Sequence, residues 1–158
     1  MKNGVKIFHD LEDVKMNKFH NLVALKLKQI DPAAFEECIS FCKPKIKIFN
    51  LIPIVASEIL SSHPYTAQNR PLVLASIYWL FAPWKIIQHD SKLPVGMRDY
   101  ITSSLKISHP ETISMDSQNI DVYWKNPRFR AKVIALTDKI YNELAKAGYL
   151  EEGAWQTD

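Results

Sequence analysis

NPRFRAKVIALTDKIYNELAKAG, residues 126–148, reads as one long amphipathic helix with both ends marked. Asn126 is a residue type that caps helix amino termini by accepting from free backbone N–H groups. Pro127 suits the first helical position, where a backbone N–H has no partner to lose. Phe129, Val133, Leu136, Ile140 and Leu144 recur at helical spacing and line one face. Gly148 then provides the left-handed stop at the carboxy end. A face of that length needs other elements to cover it, and the rest of the chain offers helices.

Immediately upstream, Met97–Leu105 spells a helix presenting Tyr100, Ile101 and Leu105 to a core. Ser108 and Glu111 have capping-box spacing and open a helix over residues 109–124, with Ile113, Ile120, Tyr123 and Trp124 on one side. Pro71 opens the most apolar segment, residues 72–81, which is hydrophobic on nearly every face and therefore belongs at the centre of the fold; Pro83 is expected to break or kink it. Residues 89–96, with Pro94 and Gly96, read as a loop.

Further back, Asn50 is placed to cap a helix over residues 51–61, and His63, Pro64 and the polar run 66–70 form the next loop. Residues 45–49 alternate like a strand but have no partner strand, so a connector is expected. Asp31, Pro32, Glu36 and Glu37 mark a helix start, with Phe35, Cys38, Ile39 and Cys42 as its apolar face and an end before Pro44. At the amino end Leu11, Val14, Lys18, Leu22 and Leu25 follow a helical stripe while Val23, Leu25 and Leu27 alternate; helix is favoured. The expected fold is all-α: a compact bundle of about six or seven helices, one domain over residues 1–150, and a loose tail over residues 151–158.

Composition agrees with a globular chain: 47% hydrophobic, 23% charged, and 158 residues, enough to bury a core without disulfides. Residues 1–10 lack the apolar run of a secretion signal, and residues 71–84 fall short of the roughly 20 apolar residues a membrane-spanning helix requires. Cys38 and Cys42, one helical turn apart, suit neither a disulfide nor a secreted scaffold, so reduced, buried, metal-free thiols and a cytoplasmic, non-membrane protein are expected. A net charge of +3 neither demands nor excludes a nucleic-acid partner.

Ile101, Thr102, Leu105, Ile107, Ser108, Thr112 and Ile113 form an apolar, small, apolar, turn, apolar, serine arrangement. Over residues 98–124 this resembles helix-turn-helix DNA-binding proteins. The resemblance implies that the helix Met97–Leu105 supports a second helix from His109, whose early residues meet bases in the major groove of double-stranded DNA. Thr112, Ser114 and Gln118 would join His109 as the contacts that read sequence, with Lys125, Arg128, Arg130 and Lys132 holding phosphates. Lys106 stands where that family has glycine in the turn, and the spacing from Ser108 to Thr112 and Ile113 is one residue longer than its common pattern. Residues 109–124 also carry Glu111, Asp116 and Asp121 with no lysine or arginine.

The same helices also suit a protein-interaction or structural module with no nucleic acid, a reading those acids favour. Nothing in the chain specifies a catalytic residue, cofactor or metal. Ser103 and Lys106 match a serine–lysine spacing by chance, and adjacent His89 and Asp90 read as a turn. Lys43, Lys45 and Lys47 read as solubilising charge, and Tyr78, Trp79, Phe81 and Trp84 as core aromatics.

Overall fold

A computed structural model describes residues 11–88 and 91–150, with side chains described from Phe19 onward. Among the described residues there is no strand; nine α-helices and one 3-10 turn carry the chain. His89, Asp90 and the tail over residues 151–158 lie outside the described residues.

The chain divides into two compact units at Lys43 and Pro44. In the first, α1 (Leu11–Ile30) and α2 (Pro32–Cys42) are joined through Asp31 alone, whose N–H donates to the Leu27 carbonyl at 2.8 Å and whose carbonyl accepts from Phe35 N–H at 3.1 Å. The Asp31 carboxylate accepts from Ala34 N–H at 3.0 Å and Pro32 sits in the first turn, as the cap and proline signals specify. Lys28 lies over the Phe35 ring, 5.6 Å from its centroid. Yet α2 buries no residue, and Cys38 and Cys42 are free and exposed. The expectation of buried thiols is thereby corrected. Phe35 and Ile39 are half-buried, and a unit of two helices encloses too little volume to exclude water from all four positions of that face.

The second unit is built around α4 (Arg70–Phe81). Eight of its twelve residues are buried, which follows from a sequence apolar on every side. Around it pack α3 (Ile52–Ser62), α5 (Trp84–Ile87), α7 (Glu111–Ser117), α8 (Ile120–Trp124) and α9 (Pro127–Lys146), while α6 (Met97–Leu105) packs on α3 and on the 3-10 turn Phe49–Leu51. Each fully buried Leu, Ile or Val contributes roughly 1.5–3 kcal/mol of transfer free energy, so Leu74, Ile77 and Leu80 with Ile59, Ile101 and Val133 are the principal stabilising set. Several polar side chains in this core bond within it. Ser76 Oγ donates to the Leu72 carbonyl at 2.7 Å and Thr137 Oγ1 to that of Val133 at 2.7 Å. Lys85 is only 3% exposed, and its ammonium donates to the Ser91 carbonyl at 2.6 Å.

Several local readings are revised. Asn50 does not cap α3; it sits inside the 3-10 turn, and Leu51 precedes the helix. Tyr100 is exposed, and Met97 takes its place beside Ile101 and Leu105, giving α6 a buried stripe at four-residue intervals. Residues 109–124 form two short helices, α7 and α8, joined at Gln118 and Asn119. The Ser108–Glu111 capping box is absent, because α7 begins at Glu111 after Pro110 and Glu111 instead lies 3.9 Å from His109 Nδ1. Asn126 does cap α9, accepting from Arg128 N–H at 2.9 Å, and Gly148 takes φ +81 at its end. These breaks, with Pro83 separating α4 from α5, make the helices more numerous and shorter than the apolar periodicity alone suggests.

Candidate functional site

Beginning with the residues the helix-turn-helix resemblance singles out, the turn after α6 is tight. Lys106 adopts φ 55, and Ile107 N–H donates back to the Thr102 carbonyl at 2.9 Å in a Schellman closure. Arg98 Nη2 donates to Ser114 Oγ at 3.3 Å, linking α6 to α7. His109 is exposed, Thr112 and Ser114 are half-buried, and Gln118 is exposed at the joint between α7 and α8.

Two of the three acids in this segment are engaged within the fold. Asp116 accepts from the Tyr65 phenol at 2.6 Å and lies 3.7 Å from Arg70 Nη1. Asp121 accepts from Val122 N–H in the first turn of α8, where negative charge suits the helix dipole. Burial, with the hydrogen bond to Asp116, pushes the Tyr65 phenol above its ordinary range. Below it Tyr78 meets Ser117 Oγ at 2.7 Å, and burial pushes Tyr78 up to about 12.

The four basic residues after α8 do not act as one group. Lys125 is exposed at the end of α8, and Arg128 is exposed in the first turn of α9. Arg130 turns back and donates to the Trp124 carbonyl at 3.1 Å. Lys132 lies one turn beyond Arg128 on the same face. Continuing at seven-residue steps, that exposed face carries Lys139 and Lys146, with the exposed acid Glu143 set between them, so the basic stripe of α9 is free of acids only over its first half.

Beside the stripe opens a cleft of about 490 Å³. One wall is the loop and first turn of α4: His63, Gln68, Asn69, Pro71 and Leu72. The other is α8 and α9: Tyr123, Phe129, Lys132, Ala135 and Leu136. Tyr123 and Phe129 stack at a tilt, with ring centroids 5.5 Å apart. Asn69 is held by donation to the Pro64 carbonyl at 3.0 Å, and His63 Nδ1 meets Ser62 Oγ at 2.8 Å. No aspartate or glutamate lines the cleft, so Lys132 gives it a net positive potential. This opening joins residues some 60 positions apart, which periodicity within one segment does not register. Only Lys132 belongs both to the cleft and to the residues the sequence pattern nominates.

Elsewhere, Lys45 is more than solubilising charge. Its ammonium stands 3.6 Å from the Trp79 centroid, and Trp79 in turn packs against Trp124 at 5.1 Å. Burial lowers the Lys45 pKa while Asp138 opposes the shift. Tyr78 and Phe81 are core residues, as the apolar run implies, whereas Trp79 and Trp84 are only partly covered. Among the described residues no group of three or more His, Cys, Asp or Glu side chains converges for a metal ion, and no helix is long and apolar enough to cross a membrane.

Comparison with protein-family models, with curated proteins and with solved structures finds no match to this chain.

Proposed function

We propose that this protein is a non-catalytic interaction module that docks an acidic, amphipathic helical segment of a partner protein on α9 and its cleft. The observation that carries this reading is the pairing of a cleft lined by Tyr123 and Phe129 and free of acids with the stripe that starts at Arg128 and Lys132 beside it. Phe129, Lys132 and Leu136 line the cleft at helical spacing, which suits the ridge of a second helix laid into it. Apolar residues of the partner fill the cleft and its carboxylates meet the stripe; the charges steer encounter while burial of the anchor supplies affinity.

Fluorescence anisotropy with a labelled acidic amphipathic peptide tests it. Saturable binding is expected, weakening as salt rises and falling about tenfold or more in the Arg128→Glu, Lys132→Glu double variant. Equal affinity for a basic peptide of the same apolar pattern, or no loss in the variant, would rule it out.

A second reading, duplex DNA held at the α6–α7 turn and the start of α9, is favoured by the left-handed Lys106 at the position where the resembling family has glycine, together with the inward engagement of Asp116. In that reading His109, Thr112, Ser114 and Gln118 face bases, and Lys125, Arg128, Arg130 and Lys132 hold phosphates. The break of residues 109–124 into two short helices counts against it, since the reading element is left with two turns. Titration of a duplex at low salt separates the two. Tight duplex binding whose salt slope drops by about one for each lost phosphate contact in Arg128→Ala supports DNA.

A further inference from the structure

The residues that follow α9 carry chemistry complementary to the cleft. Residues 151–158 read EEGAWQTD: Glu151, Glu152 and Asp158 with no lysine, arginine or histidine, and Trp155 as the one large apolar side chain. Tyr123, Phe129 and Lys132 line the cleft and no acid does, so a tryptophan finds aromatic surface there and carboxylates find a cation. Reach is set by the end of α9. Tyr149 N–H donates to the Leu144 carbonyl at 3.0 Å and Gly148 takes φ +81, so the chain closes back on the last turn and continues from beside it. From Leu144 back to Leu136, the last α9 residue of the cleft wall, is about 12 Å along the helix axis. Extended, the chain from Leu150 to Trp155 spans about 17 Å.

We propose that residues 151–158 occupy the Leu136 end of this cleft in the same chain, Trp155 entering it and the carboxylates lying along Lys139 and Lys132. The proposal rests on the reading of the cleft as a docking site for acidic segments, and adds that the chain itself competes for that site. The exposed charges along the path are Lys146, Glu143, Lys139 and Lys132. Their sum is positive, and Glu143 stands between the two lysines farther from the cleft, so attraction is strongest at the cleft end. Tethering makes a weak contact sufficient. A segment joined by a few residues meets its site at an effective concentration of about 1 mM, so an intrinsic Kd of about 0.1 mM keeps it bound roughly nine-tenths of the time. The same contact made between two copies at about 10 μM protein is about a hundredfold less favoured, which selects the chain's own segment. An outside ligand has to displace it, and its apparent affinity falls by about tenfold.

Fluorescence of Trp155 in the full chain, isolated by subtracting the spectrum of Trp155→Phe, tests this. Acrylamide is expected to quench it several-fold less than free tryptophan at every protein concentration. Lys132→Glu with Lys139→Glu, both at exposed positions, should raise quenching to the free value. In a second arm, Trp155→Ala, which alters no charge, should tighten binding of the labelled acidic peptide by up to about tenfold. That change is a gain, so loss of folding cannot imitate it. Trp155 quenched like free tryptophan, shielding that fades on dilution, or a measurable peptide affinity indifferent to Trp155→Ala overturns the proposal. Shielding abolished by the two glutamates, in a chain that binds no acidic peptide even as Trp155→Ala, supports the contact within the chain while removing the interaction module, so the two failures are told apart.

Discussion

The phenol of Tyr65 donates to the carboxylate of Asp116 over 2.6 Å, tying the loop before α4 to the carboxy end of α7 across 51 residues of chain. Arg70, on the same carboxylate at 3.7 Å, stacks near the Tyr65 ring. Tyr65→Phe deletes a charge-assisted hydrogen bond to a nearly buried acid and should cost about 1.5–3 kcal/mol. Urea unfolding measures it; a midpoint equal to that of the wild type would mean that the loop and α7 are not coupled through this bond.

Stability should fall in strong base. Tyr65 and Tyr78 both have folded phenol pKa values raised above 10.0, so the folded state holds protons that the unfolded chain releases. That contribution is complete below 10.0 and is lost as pH rises from there toward about 12, the folded value of Tyr78. Urea midpoints across this range should decline, and less steeply in Tyr65→Phe. A tyrosine absorbance titration in which every phenol ionises near its ordinary value would contradict the burial of both.

Lys106 holds φ 55, a conformation that costs a side-chain-bearing residue roughly 1–2 kcal/mol. Lys106→Gly should relieve that cost, less the entropy glycine loses on folding, for a net gain of about 0.5–1 kcal/mol. Lys106→Ile should destabilise, because a β-branched side chain is least tolerant of this region. Thermal unfolding reads both; glycine less stable than lysine would show that the Lys106 side chain makes a compensating contact.

The two thiols should react in the native protein. Both are exposed, and burial followed by the neighbouring Cys38 raises the Cys42 pKa. At mild alkaline pH a disulfide reagent should label one site quickly and Cys42 more slowly. Mass spectrometry assigns the order, and protection of both thiols until unfolding would refute the exposure of the α2 face.

The all-helical class, the centrality of α4 and both ends of α9 are legible in residues 31–148, because capping side chains, prolines and apolar spacing act over a few positions. Asp31, Pro71, Asn126 and Gly148 each do in the structure what their chemistry predicts. Tertiary structure decided the rest. Whether Phe35, Cys38, Ile39 and Cys42 are core depends on what faces them, and a helical face bears no mark of how much partner surface will cover it. Only packing onto α4 reveals that residues 109–124 break at Gln118, since the same apolar spacing suits one helix or two. The cleft, the Tyr65–Asp116 bond and the Lys45–Trp79 contact join residues far apart in the chain, and such contacts exist only once burial of α4 has brought their elements together.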